Sequence, residues 1–86
     1  MKYEIYTVLD KKSGAFLQPF FMQNEGMAIR AIIDVLSDKD HTFCRHAEDY
    51  QLFHVGTFDD SVGVMTGLTD PMPVIGLLEL KVKQDG

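Results

Sequence analysis

Two five-residue segments with the same punctuation do most to limit what this chain can fold into: Asp10-Lys-Lys-Ser-Gly14 and Asp59-Asp-Ser-Val-Gly63. Each opens on Asp, closes on Gly, and joins runs rich in β-branched and aromatic residues. An early Asp and a final Gly suit a hairpin loop built on a type I turn, in which the glycine takes positive φ. The runs that precede them, Tyr3-Glu-Ile-Tyr-Thr-Val8 and Tyr50-Gln-Leu-Phe-His-Val55, echo one another in residue type. Two hairpins obeying one turn chemistry account for that echo without an internal duplication. After the first loop, Ala15 to Met22 is predicted to return as the partner strand. Pro19 has no N–H to donate, so this strand must be an edge or carry a bulge there.

Between the hairpins the period changes. Asn24 supplies a helix N-cap, and Glu25 sits at the positive end of the helix dipole. Ala28, Ile32, Val35 and Leu36 then recur at helical spacing as far as Ser37, flanked by Ile29 and Ile33, with Arg30 and Asp34 on the wet side. A polar connection, Asp38 to Asp49, leads to the second hairpin, whose return strand is Val64 to Leu68. Thr69-Asp-Pro-Met-Pro73 reads as a turn. In Val74 to Lys83, Leu78, Leu80 and Val82 alternate with Glu79, Lys81 and Lys83, the pattern of a strand with one dry face. The predicted order is ββαβββ: an α+β fold with a mainly antiparallel sheet of about five strands and one helix packed on it. Eighty-six residues form a single domain, 1–86, because two independent cores would not fit.

One helix covers only part of one face of five strands. Tyr6, Val8, Phe53 and Val55 on one alternation, or Tyr3, Ile5 and Leu52 on the other, are left as an apolar patch that a monomer would expose. The stretch Leu17-Gln-Pro-Phe-Phe-Met-Gln-Asn-Glu-Gly26 bears on this. Phe21 or Met22 can clamp the first turn of the helix as a hydrophobic staple. An edge segment with spare aromatics is also a subunit contact, so Phe20, Phe21 and Met22 are the candidate interface of a homodimer or other homo-oligomer.

Composition narrows the function classes. Thirteen acidic against eight basic residues give a formal charge of −5, the wrong sign for a protein that lives by non-specific phosphate contacts. The single cysteine, Cys44, excludes an internal disulfide framework and suits a reducing compartment. No apolar run approaches a membrane span and the N-terminus has no signal-peptide core, so a soluble intracellular protein without a membrane partner is expected. His41-Thr-Phe-Cys44-Arg-His46 holds zinc-type side chains, but one cluster with a single thiolate is not a finger pattern. Glu48-Asp49 and Asp59-Asp60 are accounted for by turn and capping roles. With no catalytic triad spacing and no phosphate loop, the expectation is no enzyme, no metal and no cofactor.

Aromatics on sheet strands can stack on unpaired bases beside a local strip of lysines. On that reading Tyr3, Tyr6 and Phe20 are the stacking candidates, and Lys11, Lys12, Lys81 and Lys83 the backbone contacts. The competing reading places the aromatics in the core and the lysines as guards of edge strands.

The stretch MKYEIYTVLDKKSGAFLQPFFMQNEGMAIRAI, continued by His46-Ala-Glu-Asp-Tyr-Gln-Leu-Phe53 and Val55-Gly-Thr-Phe-Asp-Asp60, resembles the small nonstructural protein of gokushovirus-type microviruses, which are single-stranded DNA bacteriophages. The PFF leading into the helix, the acid-acid-tyrosine before the second hairpin and the GxFDD turn carry the resemblance. Where that family tends to have proline after the histidine, this chain has Ala47. The resemblance implies a non-capsid phage protein of the host bacterial cytoplasm, DNA-binding and active in viral genome replication or packaging. Its implied partners are single-stranded DNA or a viral or host replication protein.

Overall fold

Strand β1 (Lys2–Asp10) lies at the centre of the sheet in the computed structural model, which describes residues 1–85. On one side β1 pairs antiparallel with β4 (Tyr50–Asp59), which in turn pairs with β5 (Val64–Gly76). Its other side is shared end to end by two short strands, β2 (Ala15–Phe16) and β3 (Phe20–Met22). The fold is α+β with a five-stranded antiparallel sheet.

Both loops close as the turn chemistry requires. The Gly14 N–H donates to the Asp10 carbonyl and the Gly63 N–H to the Asp59 carbonyl, each at 2.8 Å. The two glycines are the positive-φ residues, at 74° and 69°. The Asp side chains cap the turn from inside: Asp10 Oδ1 accepts from the Lys12 N–H at 3.0 Å, and Asp59 Oδ1 from the Ser61 N–H at 3.0 Å.

Helix α1 (Glu25–Leu36) starts at Asn24, whose Oδ1 accepts from the Met27 N–H at 2.9 Å. It buries Ala28, Ile32 and Leu36 against Tyr6, Val8 and Leu52 of the sheet. Val35, expected among the buried set, is only half-buried. The connection after α1 forms a single-turn helix α2 (Thr42–Arg45) and a 3-10 turn (Ala47–Asp49) that turn Cys44 and Ala47 into the same core.

The C-terminal third departs from the expected order. Thr69–Pro73 is not a free turn but part of β5, where Pro73 stands opposite Phe53 and Met72 opposite His54. The next pair is Gly67 with Gly56, so Leu68 to Pro71 bulge out against Val55 alone. Leu77–Asp85 is helix α3, not a strand. Leu77 and Leu80, three apart, are buried at 0% and 3% exposure, while Leu78 and Val82 are exposed. Leu, Glu, Lys and Gln are strong helix formers, and the Glu79–Lys83 pair at 3.5 Å supports one helical turn. The apparent alternation was a coincidence of Leu80 with two surface residues.

Candidate functional site

The sheet has two faces, and register decides which side chains share each. Residues directly opposite in an antiparallel pair lie on the same face. Tyr6, Val8 and Leu52 define the core face under the helices. Tyr3, Ile5, Thr7 and Leu9 therefore face the other way. Ile5 is 8% exposed yet stands outside the core cluster, as that placement requires.

Two bulges populate this second face. Along β1 there are three steps from Leu9 to Tyr6, but their partners Phe16 and Phe20 are four apart, so one extra residue enters the strand around Pro19. On the other side, Ile5 and Tyr6 are adjacent while their β4 partners are Gly56 and His54, which makes Val55 the extra residue. Without bulges, residues five apart would point to opposite faces. With them, Phe16 and Phe21 both stand opposite second-face residues of β1 (Leu9 and Ile5), and so do Phe53 and Phe58 (Thr7 and Tyr3).

The four rings meet in pairs across β1. Phe16 and Phe53 pack edge to face at a centroid distance of 5.3 Å, and Phe21 and Phe58 at 5.7 Å. Ile5 and Thr7 lie beneath, and Thr7 Oγ1 donates to the Leu17 carbonyl at 2.6 Å. Tyr3, Phe21, Phe58 and Met65 line a shallow apolar depression of about 200 Å³. Phe16, Phe21 and Met65 remain 46%, 40% and 63% exposed. The face is a row of aromatic edges and faces open to solvent.

The nominated residues separate accordingly. Tyr3 lies on the open face, opposite Phe58. Tyr6 does not: it is 2% exposed, packs on Phe20 and His54, and burial pushes its phenol above the ordinary value. Phe20 also belongs to the core face, and with Met22 it packs against the core cluster, leaving Phe21 alone of the three pointing outward. Phe20 and Met22 line an apolar groove of about 410 Å³ against Ile32 and Val35 of α1. Phe16 and Phe58 escaped nomination, and Phe53 was assigned to the face of Tyr6, Val8 and Val55; Pro19 and Gly56, which mark the bulges, were the signal for their true placement.

The lysines do not form one strip. Lys11 and Lys12 project from the β1–β2 loop at the Phe16 end of the aromatic row, where Lys11 Nζ donates to the Glu48 carbonyl at 3.4 Å and Lys12 lies 3.7 Å from Asp49. Lys81 and Lys83 belong to α3, whose leucines pack on the core face. Lys81 Nζ donates to the Cys44 carbonyl at 2.9 Å. At the opposite end of the row, Asp59 and Asp60 close the second hairpin. The hydroxyl and N–H of Ser61 hold the Asp59 carboxyl below its usual value.

The histidine–cysteine segment does not converge on one point. His41 Nδ1 accepts from the Phe43 N–H at 3.0 Å and caps α2, while Cys44 is buried. His46, Glu48 and Asp49 do bring one ligand atom each within 4.8 Å of one another, enough to offer three ligands to an ion.

No helix among the described residues is long and apolar enough to cross a membrane. Over residues 3–80 the chain matches the family described as Phage ORF5 protein. It belongs to that family. The chain is thus a phage protein, and the matched span takes in both hairpins, α1 and the buried leucines of α3. No curated protein and no solved structure matches it.

Proposed function

We propose that this Phage ORF5 family member is a non-enzymatic accessory protein of a gokushovirus-type microvirus. It acts in the host bacterial cytoplasm on replication or packaging of the viral single-stranded DNA, and binds that DNA on the open face of its sheet. The observation that carries the reading is the aromatic row: Phe16, Phe53, Phe21, Phe58 and Tyr3 gathered by two bulges on a face the helices leave uncovered. Unpaired bases stack on such rings without sequence preference, at about 1–3 kcal/mol per base. The two ring pairs are set four residue steps apart along β1, the separation of Ile5 from Leu9, which at about 3.3 Å per residue is about 13 Å. Lys11 and Lys12 attend one end, so phosphate contacts are few and stacking carries the affinity. Nuclear magnetic resonance mapping with a short oligothymidine tests this. Shifts centred on Phe16, Phe21, Phe53 and Phe58 support it, and shifts elsewhere or none refute it.

A protein partner is the second reading, favoured by the −5 charge and by β5. Val64 to Pro73 are all exposed on an edge strand that carries one charged residue, Asp70. Such a neutral edge fits strand addition by a second copy, giving a homodimer, or by a viral or host replication protein. Light scattering that finds only the 9.7 kDa monomer at every concentration rejects the homodimer.

A further inference from the structure

On the helix side of the molecule, α1, α2 and α3 border an open cavity of about 630 Å³. Its floor is apolar, made by Ile33, Leu36 and Cys44. Its rim carries three cations from three separate segments: Lys39 before α2, Arg45 at the end of α2 and Lys81 on α3. These are three of the chain's eight Lys and Arg residues, in a protein with thirteen acids. Among the described residues no carboxylate lines the cavity, and the ion pairs involve other cations. Ser37 and Gln84 add neutral hydrogen-bonding groups at the mouth.

We infer that this cavity binds a phosphate monoester whose organic part presents an apolar face, as the base of a nucleoside monophosphate does. Cations that line one cavity attract an anion, and a phosphate dianion can meet all three. Arg45 brings a planar fork that grips two phosphate oxygens at once, and the lysines supply point charges on either side. Lys81 is held in place, since its ammonium already donates to the Cys44 carbonyl and retains two further protons to offer. Ile33 and Leu36 give the organic part of the ligand an apolar seat. The volume lies in the range of small-ligand sites. This site is on the opposite side of the sheet from the aromatic row and does not depend on it.

Calorimetry or resonance mapping with dAMP, adenosine and inorganic phosphate in low salt provides the test. dAMP is expected to bind and to perturb Ile33, Leu36 and Arg45, with adenosine at least about tenfold weaker, the scale of one charge-assisted hydrogen bond. Lys39→Gln and Arg45→Gln, both at exposed positions, are each expected to weaken dAMP by about tenfold while melting as the parent does. The Phe16→Leu/Phe21→Leu double variant on the aromatic row is expected to bind dAMP as the parent does. No binding of dAMP by folded protein, equal affinity for adenosine, or an undiminished affinity in Arg45→Gln overturns the assignment.

Discussion

Phe21 of β3 meets Phe58 of β4 edge to face across the central strand, at a centroid distance of 5.7 Å and an interplanar angle of 77°. The two strands are not paired with one another; β1 lies between them. The contact exists because Val55 and the Pro19 segment each add one residue to a strand that would otherwise turn these rings to the core. Deleting Val55 removes the β4 bulge yet leaves His54 opposite Tyr6 and Gly56 opposite Ile5, so every residue keeps its face, whereas one residue inserted between Thr57 and Phe58 turns Phe58 to the core face. The expected outcome is a cooperative melting transition in the deletion variant and a lower melting temperature in the insertion variant. Circular dichroism melts of the two variants check this.

Gly56 follows the bulge and lies under β5. A Cβ built there would sit 2.5 Å from the Thr66 carbonyl oxygen, which neither backbone can relieve. Gly56→Ala is expected to cost about 1–3 kcal/mol or more, as overpacking does. At Gly67, across the same pair, the nearest atom to an added Cβ is 4.0 Å away, and Gly67→Ala is expected to be mild. Urea denaturation of both variants gives the comparison.

The hairpin glycines make a cleaner backbone test. Nothing lies within 4 Å of a Cβ at Gly14 or Gly63, so any cost of Gly→Ala comes from the positive φ alone. About 1–2 kcal/mol per site is expected, and less for Gly→Asn, because Asn tolerates the left-handed region. Equal stability of Gly→Ala and parent at both sites contradicts the assignment.

These loops were legible because their chemistry is local: an Asp accepting from its own turn and a Gly needing φ > 0. The Asn24 cap and the buried stripe of α1 were legible for the same reason. The open face was not, since alternation counts residues by twos and cannot register an inserted one. Read without the bulges, Phe16 shares a face with Phe20, and Phe53 with Val55. Helix α3 was hidden by Leu78, Leu80 and Val82, whose alternation mimics a strand, while the pair that packs, Leu77 and Leu80, has helical spacing.

That distinction is measurable. Leu80→Ala is expected to cost about 2–5 kcal/mol by leaving a cavity among buried residues. Leu78→Ala and Val82→Ala, at 46% and 60% exposure, are expected to stay within about 0.5 kcal/mol of the parent. A strand with a dry face would make all three costly.

Acid sensitivity follows from Asp59. Ser61 donates two bonds to its carboxylate, so its folded pKa lies below the ordinary 3.8. Folding therefore favours the ionised form. The stabilisation is present above the unfolded pKa and is lost as pH falls through the folded one. Asp59→Asn is expected to flatten the fall of melting temperature below pH 4, leaving the neutral-pH difference between the proteins small. An unchanged acid limb contradicts the Ser61 contact.

Binding of single-stranded DNA to the aromatic row is tested most directly by fluorescence anisotropy with a labelled oligonucleotide in low salt. Parent protein is compared with Phe16→Leu/Phe21→Leu, which keeps apolar cover over Ile5 but removes the two most exposed rings of the row. The parent is expected to bind with a shallow salt dependence, each neutralised phosphate adding about 0.7 to the logarithmic slope. The double variant is expected to lose about 1–3 kcal/mol per ring while remaining folded. Equal affinity of the two proteins, or no binding by folded parent, contradicts the account and leaves the face to a protein partner.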